Sequence, residues 1–368
     1  MTTTAEHGQI EARSQGYLWS PIIDVIALGG GSLPIMIALV MLPPEEYRAS
    51  LLATVFLASH FINNPHFMHS YQIFYDRFGE KISPDAPLRL RYLIAGVLVP
   101  ILMVGYFLWS IITVDAALMG QAVNAMLFLV GWHYVKQGYG ILIVESVLKK
   151  AFFTQTEKDW LKYNAFMVWI ASWVMANVTI VQSDYYGLSS ATLGLPEELM
   201  WATAGLAVVT SLIAAGLLIR RRGPIAINGL LAYLTSVYVW MVIAKISPLL
   251  LIIVPTFHSL QYLAVVWRYQ LNKSGKTGET VEMFSGLIRL SPAQAAMVKF
   301  LWIGICLGAV AFWVMPLALD AAIAYHEEIF GPSMFLFLFV VFINVHHYFL
   351  DNVMWRKENP DIREHLFG

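Results

Sequence analysis

Seven of the ten histidines in this 368-residue chain fall inside long apolar runs: His60, His66, His69, His133, His258, His346 and His347. A titratable side chain is costly in lipid, so its presence there points to function. Imidazole offers two chemistries in such a place, coordination of a metal or haem iron and relay of a proton. Counting to the next basic residue sharpens the choice. His66 and His69 lie 11 and 8 residues before Arg77, His258 lies 10 before Arg268, and His346 and His347 lie 10 and 9 before Arg356. At about 1.5 Å per helical residue, each sits roughly 12 to 16 Å from a basic rim. His133 fits the same layer if its run ends near Glu145. Four helices thus present imidazole at one level, which predicts a common centre.

Polar partners follow at helical spacing. Gln72 comes three residues after His69, Lys136 and Gln137 three and four after His133, Gln261 and Tyr262 three and four after His258, and Asp351 four after His347. Residues so spaced share a helix face, and such neighbours can fix the tautomer of a coordinating imidazole. The expected ligands are His69, His133, His258 and His347, with His66 and His346 as alternates or as ligands of a second metal. Asp351, Gln72, Gln137 and Gln261 are expected to orient them. Asp351, Lys136 and Tyr262 are expected to take part in the chemistry, Lys136 as a relay or as counter-ion to Glu145 or Asp351, with snorkelling to the cytoplasmic face as the bland reading. For any single histidine the bland reading is a buried donor bonded to a carbonyl. His60, beyond Pro65, has the least support, and His7, His326 and His365 fall in termini or loops.

The elements that must carry these residues are membrane helices. The chain is 58% hydrophobic and 13% charged, with a mean hydropathy of +0.64, against about 25% charge in a soluble domain. Apolar runs of about 20 residues suffice to span a bilayer. They occur near 22–42, 50–75, 90–114, 119–146, 162–182, 199–219, 225–245, 248–270, 296–318 and 332–355. The expectation is an all-α polytopic bundle of about ten spans over 22–355, an N-terminal segment 1–21 and a C-terminal tail 356–368. Met1 to Ser20 shows no removable signal peptide. Ten spans gather Arg77, Lys81, Arg89, Lys149, Lys150, Arg220, Arg221, Arg222, Arg268, Lys273, Arg356 and Arg363 on one side, leaving Arg48 with Glu197, Glu198, Glu327 and Glu328 on the other. The positive-inside rule then makes both termini cytoplasmic, in a bacterial inner membrane. Gly29, Gly30, Gly31 and Pro34, and Pro65 after Asn63 and Asn64, predict breaks in the first two spans.

Cys306 is the only cysteine, which excludes an intramolecular disulfide, a cysteine-held iron–sulfur cluster and a covalent c-type haem. A net charge of −1 excludes nucleic acid as a natural partner. Imidazole with carboxylate and no thiolate suits iron, zinc, copper or manganese. Inside lipid such a metal meets bilayer-soluble molecules and dissolved gas such as O2, a setting that fits non-haem iron.

The stretches Asn63-Asn64-Pro65-His66-Phe67-Met68-His69 and Val345-His346-His347-Tyr348-Phe349-Leu350-Asp351 resemble the histidine boxes of integral-membrane iron oxygenases. These are the fatty-acid desaturase and hydroxylase group and the bacterial membrane β-carotene dioxygenase group. The His346-His347 pair is similar to the double histidine of desaturase boxes, although the spaced HxxxH and HxxHH sets are not present. The carotenoid cleavers hold iron with histidines from several helices. The resemblance implies a non-haem iron oxidoreductase of dioxygenase or hydroxylase type acting on a lipid-like or isoprenoid substrate. Three other readings use the same residues: a haem b electron-transfer protein with axial ligands such as His133 and His258, a zinc hydrolase with Asp351 as base, and a transporter with a Lys136, Glu145 and histidine relay.

Overall fold

The computed structural model describes residues 16–179, 184–189, 191–243, 252–274, 281–283, 288–356 and 358–367. Residues 1–15 of the expected N-terminal segment, and residues 244–251 at the ends of two expected spans, lie outside these. The helices in chain order are α1 (Pro21–Gly30), α2 (Ser32–Met41), α3 (Pro44–Ala58), α4 (Asn64–Tyr75), α5 (Arg89–Ile112), α6 (Ala116–Leu148) and α7 (Gln155–Thr179). They continue with α8 (Glu197–Arg220), α9 (Ile227–Met241), α10 (Val254–Lys273), α11 (Pro292–Ala322), α12 (Met334–Met354) and α13 (Pro360–Phe367). Two short antiparallel hairpins, Asp184–Tyr185 with Leu188–Ser189 and Val281–Met283 with Ile288–Leu290, are the strands among the described residues.

Five helices, α5, α6, α8, α11 and α12, are long and apolar enough to cross a membrane, and α1 with α2, bent by 46°, makes a sixth if the pair is one span. The sequence reading of about ten spans is therefore met in part. α4, α7 and α10 occupy expected spans but hold histidine, asparagine, glutamine and lysine side chains that dilute their apolar character, and α3, 15 residues long, opens with Glu45, Glu46 and Arg48. α9 is a shorter apolar helix.

The chain divides into two compact units. The first comprises Met1–Ala58, Gly131–Thr179 and Leu193–Val265, and the second Ser59–Val130, Ile180–Thr192 and Val266–Gly368. In the first, Met36, Tyr47, Leu51, Trp240, Val254 and Phe257 form an apolar core. A polar knot ties α7 to α8 and α9. Tyr233 and Tyr238 each donate to Asn164 Oδ1 at 2.7 Å, and Asn164 Nδ2 donates to Ser211 Oγ at 2.8 Å. Every group in that knot is matched, as burial requires. At its polar rim Arg221 donates to Glu157 at 2.7 Å and to the carbonyl oxygens of Ala151 and Phe152. Burial opposes the Glu157 charge, but hydrogen bonds from Thr154 and Arg221 hold its carboxyl below the usual range.

In the second unit Phe107, Met119, Val123, Met126, Phe330 and Phe337 form one core, and Met68, Phe312, Val340 and Ile343 another. Proline shapes its helices in one repeated way. Wide π-turns at Ser59–Asn63, Ile94–Leu98 and Val310–Val314 each end two residues before Pro65, Pro100 or Pro316. Proline lacks an N–H and clashes with the carbonyl four residues back, so the preceding turn opens. The carbonyls freed near Pro100 are taken up by side chains. Tyr75 donates to Gly96 O at 2.8 Å, and His346 Nε2 to Ala95 O at 2.9 Å.

α11 begins with a capping box, Ser291 and Gln294 bonding each other's backbone N–H, with Pro292 in the first turn. Its Gly304 lies against the His69 ring and its Gly308 against Asn64, so two glycines four apart let α11 and α4 approach closely. At the end of α4, Lys81 Nζ donates to the carbonyls of Ile73 and Phe74, and burial brings its ammonium down to about 8. The expected C-terminal tail is α13, which buries Ile362 and Leu366 and is tied by Asn272 donating to His365 O.

Candidate metal centre

Each unit brings two histidines together from different helices. In the first, His133 of α6 and His258 of α10 stand with ring centroids 4.8 Å apart, at 73°. Tyr134 stacks on the His258 ring at 4.1 Å. The pair is held by amides that do not touch the rings in the way the sequence suggested. Gln137 Nε2 donates to His258 O at 3.0 Å and to Gln261 Oε1 at 3.1 Å. Gln261 Nε2 in turn donates to Leu28 O at the break in α1. Gly29, next in line, has φ 131°, and a Cβ there would fall 2.9 Å from Gln261 Nε2. Only glycine fits both the conformation and the space. Ser32 Oγ donates to Gly29 O at 2.6 Å and accepts from Trp240 Nε1 at 3.2 Å, so the opened backbone is satisfied by protein. The kink predicted for the first span is therefore present and wedged against α10.

In the second unit His66 of α4 and His347 of α12 stand 4.5 Å apart, at 76°. Phe67 lies edge-on to His347 at 5.0 Å. One turn further along both helices, Ser70 Oγ donates to Asp351 Oδ1 at 3.0 Å, and Asp351 Oδ2 stands 3.5 Å from His347 Nε2. Asp351, expected to orient His347, lies beside its ring in that contact. Ser70 was not singled out in the sequence, although it repeats after His66 the four-residue step of Asp351 after His347.

The remaining residues separate by what they touch. His346 points away from His347: its Nε2 donates to Ala95 O, so its Nδ1 accepts from Tyr71 Oη at 2.8 Å. Both nitrogens are engaged in joining α12 to α5 and α4. His69 is fully buried, stacked on Phe300 at 4.1 Å with Gln72 Nε2 donating to its Nδ1 at 3.1 Å. Gln72 also reaches Phe300 O at 3.4 Å. His69 is thus held in the seam between α4 and α11, and the structure pairs His66 with His347 in its place. His60 stacks on Trp313. Lys136 is partly buried one turn from His133, and Tyr262 is buried one turn beyond His258. Glu145 pairs with Lys149 at 2.9 Å.

His66, His133, His258 and His347 are all buried and make up a group of side chains able to hold a metal ion. Compared with protein families, curated proteins and solved structures, the chain matches none.

Proposed function

We propose that the chain is an integral-membrane metalloprotein whose one ion is held by His66, His133, His258 and His347, and that it is a non-haem iron oxygenase of an apolar molecule. The observation that carries this reading is one ring nitrogen from each of the four lying within 4.8 Å of the others, with no thiolate or other charged donor among them. Imidazole binds a metal at about 2 Å, so nitrogens on opposite sides of an ion stand about 4 Å apart.

Ligand number separates iron from zinc. Zinc is satisfied by four ligands, and a site so filled is closed to substrate. Iron accepts six, and a four-histidine set leaves positions at which it can activate dioxygen. The chain's own contribution is to hold four neutral imidazoles where water is excluded, with Asp351 beside His347 and Tyr134 against His258 fixing ring planes. The substrate is a lipid-like or isoprenoid molecule, the class that partitions into the bilayer around the apolar helices. Ten crossings with both termini cytoplasmic, in a bacterial inner membrane, complete the reading. Its support is the five or six long apolar helices and the one-sided run of basic residues.

Elemental analysis and an absorption spectrum of the purified protein test it together. About one iron per chain with no Soret band is the expected result, and His258→Ala should remove the metal while helicity is kept. A second reading, structural zinc, is favoured by the ligand number alone, and the same analysis would find zinc. Function retained in metal-free protein would replace both by the transporter reading.

A further inference from the structure

We propose that Ser70 and Asp351 fix the proton of His347 on Nε2, so that Nδ1 is the nitrogen His347 gives to the metal. This rests on the reading of His347 as a ligand, and every residue involved lies in the second unit. Three rungs join α4 to α12 there. His66 meets His347 at 4.5 Å, Ser70 donates to Asp351 at 3.0 Å, and Tyr71 meets His346 at 2.8 Å. The third rung, with Ala95 O on the far nitrogen of His346, sets the rotation of α12 about its axis. That rotation carries His347, the next residue, toward His66.

The second rung decides the tautomer. Ser70 holds Asp351 through Oδ1, leaving Oδ2 directed at His347 Nε2, 3.5 Å away. A carboxylate oxygen is an acceptor only. A lone pair on Nε2 would face it with two acceptors opposed, whereas an N–H there is attracted. The proton therefore belongs on Nε2 and the lone pair on Nδ1. At 3.5 Å the contact is longer than an ordinary N–H···O bond, and such contacts commonly close when a site is filled. Asp351 is thus a positioning residue acting through His347. Its i, i+4 place on α12 keeps it beside that ring, and Ser70 on the facing helix keeps its carboxylate from turning away.

The test uses full-length protein in detergent, loaded with zinc as a diamagnetic probe and labelled with 15N at histidine. Long-range 1H–15N correlations distinguish a proton on Nε2 from one on Nδ1, and the His347 signals are identified by their loss in His347→Phe. The expected result is a zinc-bound Nδ1 and a protonated Nε2 at His347. Asp351→Ala should weaken zinc binding about 10- to 100-fold and abolish the slow exchange of the Nε2 proton. Asp351→Asn, which keeps an acceptor oxygen, should recover most of both. Ser70→Ala should move both in the same direction by less, and it serves if Asp351→Ala does not fold. Zinc bound through Nε2 of His347, with one zinc per chain intact, would overturn this assignment and leave the four-histidine centre standing. Unchanged zinc affinity in all three variants would overturn it too, and wild-type protein that binds no zinc would overturn both.

Discussion

Two adjacent residues of one type should respond oppositely to the same substitution. His346→Phe keeps the ring's bulk but deletes the partner of Tyr71 Oη, at 2.8 Å, and of Ala95 O, at 2.9 Å. Each buried group left unmatched costs about 1–3 kcal/mol, so the variant should be destabilised by about 2–6 kcal/mol. At roughly 2–4 °C per kcal/mol for folding units of this size, the melting temperature should fall by about 5–20 °C. Its metal content should be unchanged. His347→Phe should do the reverse, losing metal at smaller cost to the metal-free protein, since the side chain stays apolar against His66 and Phe67. A bound ion at 100 times its Kd stabilises by about 2.7 kcal/mol. Added metal should therefore raise the melting temperature of wild type and His346→Phe, but not of His347→Phe. The assay is thermal unfolding in detergent with and without metal, read beside metal content per chain. Metal lost from His346→Phe and kept by His347→Phe would refute the separation of the two roles.

Gly304→Ala should cost about 1–3 kcal/mol, because its methyl would press on the His69 ring stacked against Phe300; Gly105→Ala, at an open position, should cost nothing, and a thermal melt compares them. Gln261→Leu strands Leu28 O and frees Gln137, so it should lose about 1–3 kcal/mol of stability and also weaken metal binding, measured by titration. The depressed Glu157 carboxyl contributes stability that is complete above its unfolded value of about pH 4 and is lost as pH falls through its lower folded value. Arg221→Met should therefore lower stability at pH 7 and shrink the loss seen between pH 5 and pH 3; an acid response identical to wild type would discount the Arg221 contact.

The sequence carried the long apolar helices, because apolar run length is a one-dimensional quantity. It did not carry the azimuth. His66 and His69 are three residues apart, and the presence of Gln72 favoured His69 as the ligand. Gln72 instead secures His69 against Phe300 in the α4–α11 seam. His346 and His347 differ by about 100° around α12, and which of them turns inward depends on Ala95 O, freed by Pro100 in another helix. No local pattern reports that. Asp351 was legible because its step from His347 is local. Gln137 and Gln261 were legible as important, but their target, the opened turn at Leu28 and Gly29, lies more than 100 residues away. The histidine-bearing helices α4 and α10 are less apolar than the five long helices because they carry His66, His69 and His258 with their asparagine and glutamine neighbours.

The proline-linked π-turns have a consequence for how this chain tolerates insertion and deletion. Each wide turn houses one residue more than an α-turn would, and removing one from Ser59–Asn63 would restore regular winding without breaking the backbone. Because the wide turn absorbs its extra residue, the phase of one side of the break against the other would change little. His66 comes three residues after that turn, so a deletion within the turn would keep it near His347, whereas one between the turn and His66 would swing it away by about 100° while leaving composition, hydropathy and helix length almost untouched. Gaps should therefore be tolerated within the turn and forbidden just after it in any working homologue, even though the two places look alike in sequence.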